Sequence, residues 1–411
     1  MFWTDVRLKY LCVDSGQYGL NVSSENYMES GVRLLRTTDI STGTLTPDEE
    51  GVFVSAPLEE RFKLHEGDLL LSRSGTPPGQ SYLVRAKDAD ATFAGYLVRF
   101  RPTSKTEPRF LAYAARSAPF QHVIRAESVA STIQNFNAER YANIVIPVPE
   151  QEEQRRIADF LDFETARLKH LLERDARLTH LLTERRQATI DHEVHAPSRR
   201  RVKLFWRLAT LRDGTHQPPP RVAQGVPLLT ARNVSSGTLS LTEMDTHVSH
   251  ADADVLERSL CLTPGDILLS VKGTIGACAV APRGFPRAVL DRNVALLRPL
   301  AGHSSEWLAW VLRSTNLQEQ MRIAVTATAQ PGLPLGVIRE LRVPDVPEAE
   351  QSERAAHIVG KVREIDEVLV RMQRKNSLLT ERRQALITAA VTGQFDVSTA
   401  SGRNVTDGVT A

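Results

Sequence analysis

His192, Glu193 and His195 place three potential metal ligands within four residues. Zinc takes imidazole and carboxylate donors, but near the end of a charged helical stretch the same pattern arises from solvated side chains, and no metal is expected here. Asp266 and Lys272 in DILLSVK (266–272) resemble the acids and lysine of metal-dependent phosphodiesterases, yet the position two before the lysine is Ser270. Without a carboxylate there the ligand set is incomplete. Cys12, Cys261 and Cys278 are far apart and form no C-x-x-C pair, which argues against thiolate zinc and a disulfide framework. The chain has no G-x-x-x-x-G-K-[ST] phosphate cradle, dinucleotide fingerprint or G-x-S-x-G elbow. It is expected not to be an enzyme.

A second group of residues suits recognition better than catalysis. RLLRTTDIS brings Arg33, Arg36 and Thr37 beside a turn, and LSRSGT brings Arg73, Ser74 and Thr76; LLTARNVSS and LSVKGT bring Arg232, Asn233, Lys272 and Thr274. Arginine and lysine can read guanine, and asparagine or glutamine adenine, by hydrogen bonds in the major groove. Gly75, Gly273 and Gly276 free the backbone for close approach to a phosphate or groove. Asp68 and Asp266, which open GDLLLS and GDILLS, are expected to cap the turn that starts a strand.

The elements that must position these residues are repeated. GVRLLRTTDISTGTL (31–45) returns as GVPLLTARNVSSGTL (225–239), LHEGDLLLSRSGT (64–76) as LTPGDILLSVKGT (262–274), and VRFRP (98–102) as ALLRP (295–299). LLTERRQA occurs identically at 181–188 and 378–385, an offset of 197 residues. The pattern is a tandem duplication of one long unit. Each unit begins with Gly- and Pro-punctuated apolar runs and one amphipathic helix, which predict a mixed α/β domain that is mostly strand. Each continues into a charged stretch with a near-heptad apolar stripe: Ile157, Leu161, Leu168, Leu172, Leu178 and Leu182, then Ile358, Val362, Ile365, Leu369, Met372, Leu379, Leu386 and Ala390. About 43 residues of helix make a rod of roughly 60 Å. Two such rods either pair as an intramolecular antiparallel coiled coil or each pack on their own domain. The expected division is a domain over 1–147, a helix over 148–195, a second domain over 196–345, a second helix over 346–393 and a flexible tail over 394–411.

The 411 residues are 41% hydrophobic and 24% charged, which excludes a disordered chain. No run of about 18 apolar residues is present to form a membrane span, and MFWTDVRLKY does not read as a secretory leader. A reduced, cytoplasmic protein is expected. The formal charge of +2 neither demands nor forbids nucleic acid.

DGTHQPP (213–219), GVPLLTARNVSSGTL, GDILLSVKGTIG (265–276), TAQPGL (328–333) and RVPDVPEAEQ (342–351), in this order with LLTERRQALI, resemble the specificity subunit of type I restriction–modification enzymes. The first copy departs from the pattern, with DSGQYG (14–19), GTPPGQ (75–80) and STIQNF (131–136) at the corresponding places. The resemblance implies that each globular part is a target-recognition domain reading one half of an asymmetric, bipartite double-stranded DNA target. It adds Gln134, Asn135, His216 and Gln330 to the DNA-binding candidates. It also implies that the helices dock two modification (methyltransferase) subunits, through Leu182, Glu184, Arg185, Arg186, Leu379, Glu381, Arg382 and Arg383, with two restriction subunits joining through these. S-adenosylmethionine, ATP and magnesium would then belong to the partners, with no cofactor on this chain. The rival readings are an orphan or modification-only specificity subunit, and a coiled-coil interaction scaffold without DNA readout.

Overall fold

The computed structural model describes residues 3–41, 44–56, 58–75, 78–129, 135–195, 198–217, 219–234, 237–326 and 332–397. The chain divides into two compact units, 1–175 with 373–411, and 176–372.

In the first unit, the run LLLS becomes strand Leu69–Ser72, buried on both faces. It lies inside a four-stranded antiparallel sheet ordered Gln17–Tyr18, Leu97–Phe100, Leu69–Ser72, Ser81–Leu83, with Leu71 opposite Val98. A three-stranded sheet sets Val32–Leu35 between Val52–Val54 and Thr92–Phe93. Helix Pro108–Arg116 starts from an Glu107 cap with proline at its first position, where no amide donor is missed. Its Phe110 is buried in one cluster with Phe100, Phe136 and Tyr141, whose hydroxyl donates to Ser72 O at 2.7 Å. The second unit repeats this order with Leu208–Asp213, Val294–Pro299, Ile267–Ser270 and Cys278–Val280, and buries Trp307 where the first buries Phe110. It adds helix His250–Ser259, in a stretch where the first unit has only a single turn at Glu60–Phe62.

Both charged stretches are helices, Gln151–His195 and Glu348–Val391. In the first unit Lys375 Nζ meets Asp175 Oδ2 at 2.7 Å, while Ile157 and Leu161 share a core with Leu386 and Ala390. In the second, Arg186 Nε meets Asp366 Oδ1 at 2.6 Å and Lys361 Nζ meets Glu193 Oε1 at 2.7 Å. Numbers rise along one helix as they fall along the other, so the pairing is antiparallel. Each helix also packs on the globular part of the unit, so the two expected alternatives hold together. The apolar stripe is less continuous than its spacing suggests: Leu178 is 46% exposed, because burial concentrates where a sheet domain covers the helix. The chain also stays folded past residue 394, since Phe395 packs 5.6 Å from Phe160 and Val397 lies against the same core. The rest of the expected tail, 398–411, falls outside the described residues.

The duplicated polar residues fasten this frame. Asp68 accepts from His65 N at 2.8 Å, as the turn reading expects, and also receives Arg101 Nε and Nη2 at 2.7 and 2.8 Å. Asp266 does the same with Thr263 N and with Arg298, both of whose contacts are 2.7 Å. Buried Gln154 accepts from Glu107 N and donates to Pro149 O; buried Gln351 accepts from Ser304 N and donates to Val346 O. The repeated TERRQA has a structural part as well. Gln384 Nε2 donates to Arg116 O at 2.7 Å in the first unit, and Gln187 Nε2 to Arg313 O at 3.1 Å in the second.

Candidate nucleic-acid interface

In the first unit, strand Leu69–Ser72 ends where three loops meet. Arg73 N donates to Tyr96 O at 2.9 Å, and Phe136 N donates to Arg73 O at 2.7 Å. The Arg73 guanidinium donates to Asn135 Oδ1 at 3.1 Å and Gly95 O at 3.4 Å, and lies 5.0 Å from the centre of the Tyr18 ring. Gly19 allows the Tyr18 loop to come this close, because a Cβ there would stand 2.1 Å from Phe93 O.

The second unit is stitched at equivalent places. Val271 N donates to Asn293 O and Leu333 N to Val271 O, each at 2.9 Å. Gly214 has the part of Gly19, its added Cβ falling 2.3 Å from Leu290 O. A Cβ on Gly332 would lie 3.3 Å from Lys272 Cε, and one on Gly273 3.9 Å from Ala231 Cβ. Segments DGTH, TARN, VKGT and the end of TAQPGL, remote in sequence, thus converge at one end of the sheet.

The candidates differ in what they can still offer. Lys272 and Thr274 are exposed, and Lys272 has no ion pair with a described residue. His216 is exposed with Nε2 2.5 Å from Asp213 Oδ2. Arg232 is half-exposed, donating to Met244 O at 3.1 Å and Asp245 Oδ1 at 3.2 Å. Thr37 and Ser74 are half-buried, as is Asn135. Arg36 is held bidentately by buried Asp39 at 2.8 and 3.0 Å. Two expectations do not suit base reading. Asn233 is 2% exposed, and its amide accepts from Thr230 N and donates to Ser240 O and Asp245 Oδ2, which uses its donors inside the loop. Arg33 is 9% exposed, its Nε 3.4 Å from Asp48 and its guanidinium over Phe53. Thr76, Gln134 and Gln330 lie outside the described residues.

The frame has its own electrostatics. Burial works against the Asp245 carboxylate, but hydrogen bonds from Thr242 and Asn233 and the Arg232 charge hold it below the usual carboxylate range. Burial, helped by Asp14 and Asp68, pushes the Cys12 thiol up to about 12, and burial raises Cys278 despite Arg313, so neither supplies a ready thiolate. Glu193 is committed to Lys361, and His195 Nδ1 lies 3.0 Å from Arg201 Nη2.

Sequence reasoning passed over Tyr18 and Tyr96, and Arg292, which is exposed without an ion pair among the described residues. The signal was present in the repeat. Laying AGYLVRFRP over DRNVALLRP puts Gly95 on Arg292 and Tyr96 on Asn293, in the turn that meets Arg73 and Val271.

Residues 36–173 match the family model of the type I restriction modification DNA specificity domain. The specificity subunit of the type I restriction enzyme EcoKI of Escherichia coli (strain K12) is 24% identical over 263 residues, or 59% of this chain and 53% of that protein. The match therefore spans about half the length of that curated relative. A solved chain described with complex assembly and conformational transition of the type I R-M system superposes with a TM-score of 0.72 at 17% identity, covering 96% of this chain and 98% of its own. The HsdS subunit from Thermoanaerobacter tengcongensis gives 0.52 at 18% identity, covering 96% and 97%. The first unit is thus similar to the type I restriction modification DNA specificity domain over residues 36–173, and these solved chains share the fold across nearly the whole chain.

Proposed function

We propose that the chain is the non-catalytic, DNA-reading subunit of a type I restriction–modification complex. Its two recognition domains, 1–147 and 196–345, each read one half of an asymmetric bipartite target in double-stranded DNA. The observation that carries this reading is the convergence of the motif loops at the same end of the sheet in both units. The strands and the buried Asp–Arg pairs repeat between units, whereas the loop residues at that end differ: Tyr18, Arg73 and Asn135 in one, His216, Lys272 and Thr274 in the other. Two equal frames with unequal tips suit two different half-sites.

The long helices, 148–195 and 346–393, dock two modification subunits, and restriction subunits join through them. Support comes from duplicated positions that stay exposed: Leu181 is 53% and Leu378 56% exposed, with Glu184 and Glu381 exposed beside them. Repeated apolar and acidic groups offer two quasi-equivalent faces to two copies of one partner. Methyl donor, ATP and magnesium reside on those partners, and the complex works on DNA in the cytoplasm. Mapping adenine methylation in cells with and without this chain tests the reading. A split motif that disappears with the chain is expected; an unchanged methylation map would refute it.

A further inference from the structure

The two units differ at one place far from the recognition loops. In the second, Arg186 of the first long helix is neutralised by Asp366 of the other, and Arg313 donates to Cys278 O at 2.9 Å and stacks 4.8 Å over Trp310. The repeat offset of 197 residues, forward for the first and backward for the others, gives Arg383 for Arg186, Arg116 for Arg313, and Lys169 for Asp366. The one acid of the set has become a base. Arg383 and Lys169 line the same cavity in the first unit, about 750 Å³ in volume, together with Arg116 and Arg85.

Little within the cavity neutralises these four cations. Arg383 Nε is buried without a hydrogen-bond partner. Arg116 spends Nε on the Ser81 hydroxyl at 3.2 Å, an uncharged acceptor. Burial, together with the Arg383 and Arg85 charges, holds its guanidinium below the ordinary value, against the opposing pull of Tyr113 and Asp162. Among the described residues, Lys169 pairs with the exposed Glu173 alone, at 3.7 Å. The acids across the cavity are engaged elsewhere: Glu107 and Asp162 each hold Arg109 at 2.8 Å, and Asp162 also accepts from Tyr113. Among the described residues, Glu66 is the remaining lining carboxylate, on an exposed turn. Like charges gathered in a recess with an orphaned donor raise the energy of the empty site, and an anion relieves it. The volume falls in the range of small-molecule sites. Leu83, Val84 and Ala112 give one wall an apolar surface.

We propose that this cavity of the first unit, lined by Arg85, Arg116, Lys169 and Arg383, is a binding site for phosphate-bearing anions that the second unit has lost through the Arg186–Asp366 pair. Phosphate oxygens match the guanidinium forks of Arg116 and Arg383, with Lys169 and Arg85 as further point charges.

The test uses the full chain in phosphate- and sulfate-free buffer, with inorganic pyrophosphate as probe in calorimetric titration and thermal melting. Wild type is expected to bind one pyrophosphate per chain, and a hundredfold excess over Kd should raise the melting temperature of the first unit by roughly 5–10 °C. Lys169→Asp rebuilds the second unit's pair. It should abolish binding and melt higher than wild type without anion. Arg383→Gln should weaken binding at least tenfold, and Asp366→Asn, in the other unit, should leave it unchanged. A short DNA duplex added to the titration separates sources: displacement of pyrophosphate assigns the site to backbone phosphate, and its absence to free phosphate compounds. Wild type that binds no pyrophosphate, or a folded Lys169→Asp chain that binds it as well as wild type, would overturn the proposal.

Discussion

The first and second units are built on one frame and finished differently. Asp68–Arg101 and Asp266–Arg298 fix the same turn-to-strand start, Gln154 and Gln351 the same strand-to-helix junction, and Gln384 and Gln187 the same contact between helix and sheet domain. At the tips the backbone stitching repeats but the side chains do not. Arg73 is clasped by Asn135 and Tyr18, whereas its counterpart loop presents Lys272 and Thr274 to solvent. The repeated Asp, Arg and Gln side chains of the frame bond to the chain itself, whereas Lys272 and Thr274 at the second unit's tip face outward. Duplication thus separates residues that hold the module from residues that distinguish it.

The comparison breaks most readily at the buried pairs. Asp68→Ala should cost roughly 3 kcal/mol, since it strands the Arg101 guanidinium and empties a turn cap, and Asp266→Ala should cost the same in the second unit. Urea unfolding that reports each unit separately would show equal losses confined to the altered unit if the frames are equivalent. The tips should behave in the opposite way. Lys272→Ala should cost about 1–3 kcal/mol of binding at one half-site only, and Arg73→Ala a similar amount at the other, with stability nearly unchanged for Lys272→Ala. Competition binding with duplexes altered in one half-site at a time checks this. Loss at both half-sites from either substitution would mean that the loops are not independent readers.

Smaller effects sharpen the picture. Gln187→Ala and Gln384→Ala each remove one donor to a helix-end carbonyl and should cost about 1 kcal/mol apiece in their own units, measurable as matched shifts in denaturant midpoint. The smallest effect is specific to the second unit. Burial, then the Arg201 charge, hold His195 below the ordinary histidine range, with Asp191 opposing. The unfolded chain therefore takes up a proton that the folded chain refuses, so stability present above the ordinary value of about 6.5 declines as pH falls below it. His195→Gln, which keeps an acceptor for Arg201, should flatten that acid slope without changing the midpoint at pH 8.

Much of the frame was legible because it rests on periodicity and repetition. LLLS and ILLS announce buried strands, IPVPEQEEQ and VPEAEQ announce helix starts, and the offset of 197 residues announces two equivalent units. The site was legible only in part. Lys272 and Arg73, singled out as turn-flanked cations, do lie in loops at the end of the sheet. Asn233 misled, because an asparagine four residues after a strand end looks the same whether its amide faces a base or closes its own loop on Ser240 and Asp245. Tyr18 was missed because its partner Arg73 is 55 residues away, and only the folded sheet brings them together. The repeated TERRQA pointed to a shared external partner, yet its glutamine serves an internal contact that no linear pattern displays.

Replacing residues 1–147 with the corresponding domain of a type I specificity subunit, and mapping methylated sites by sequencing, tests the two-reader account most directly. The exchange must keep the Arg116 carbonyl and the Ala118 amide, which receive Gln384 and meet Thr388 Oγ1. The account predicts a target in which one half is new and the other half is the original. A target altered in both halves, or in neither, would contradict it.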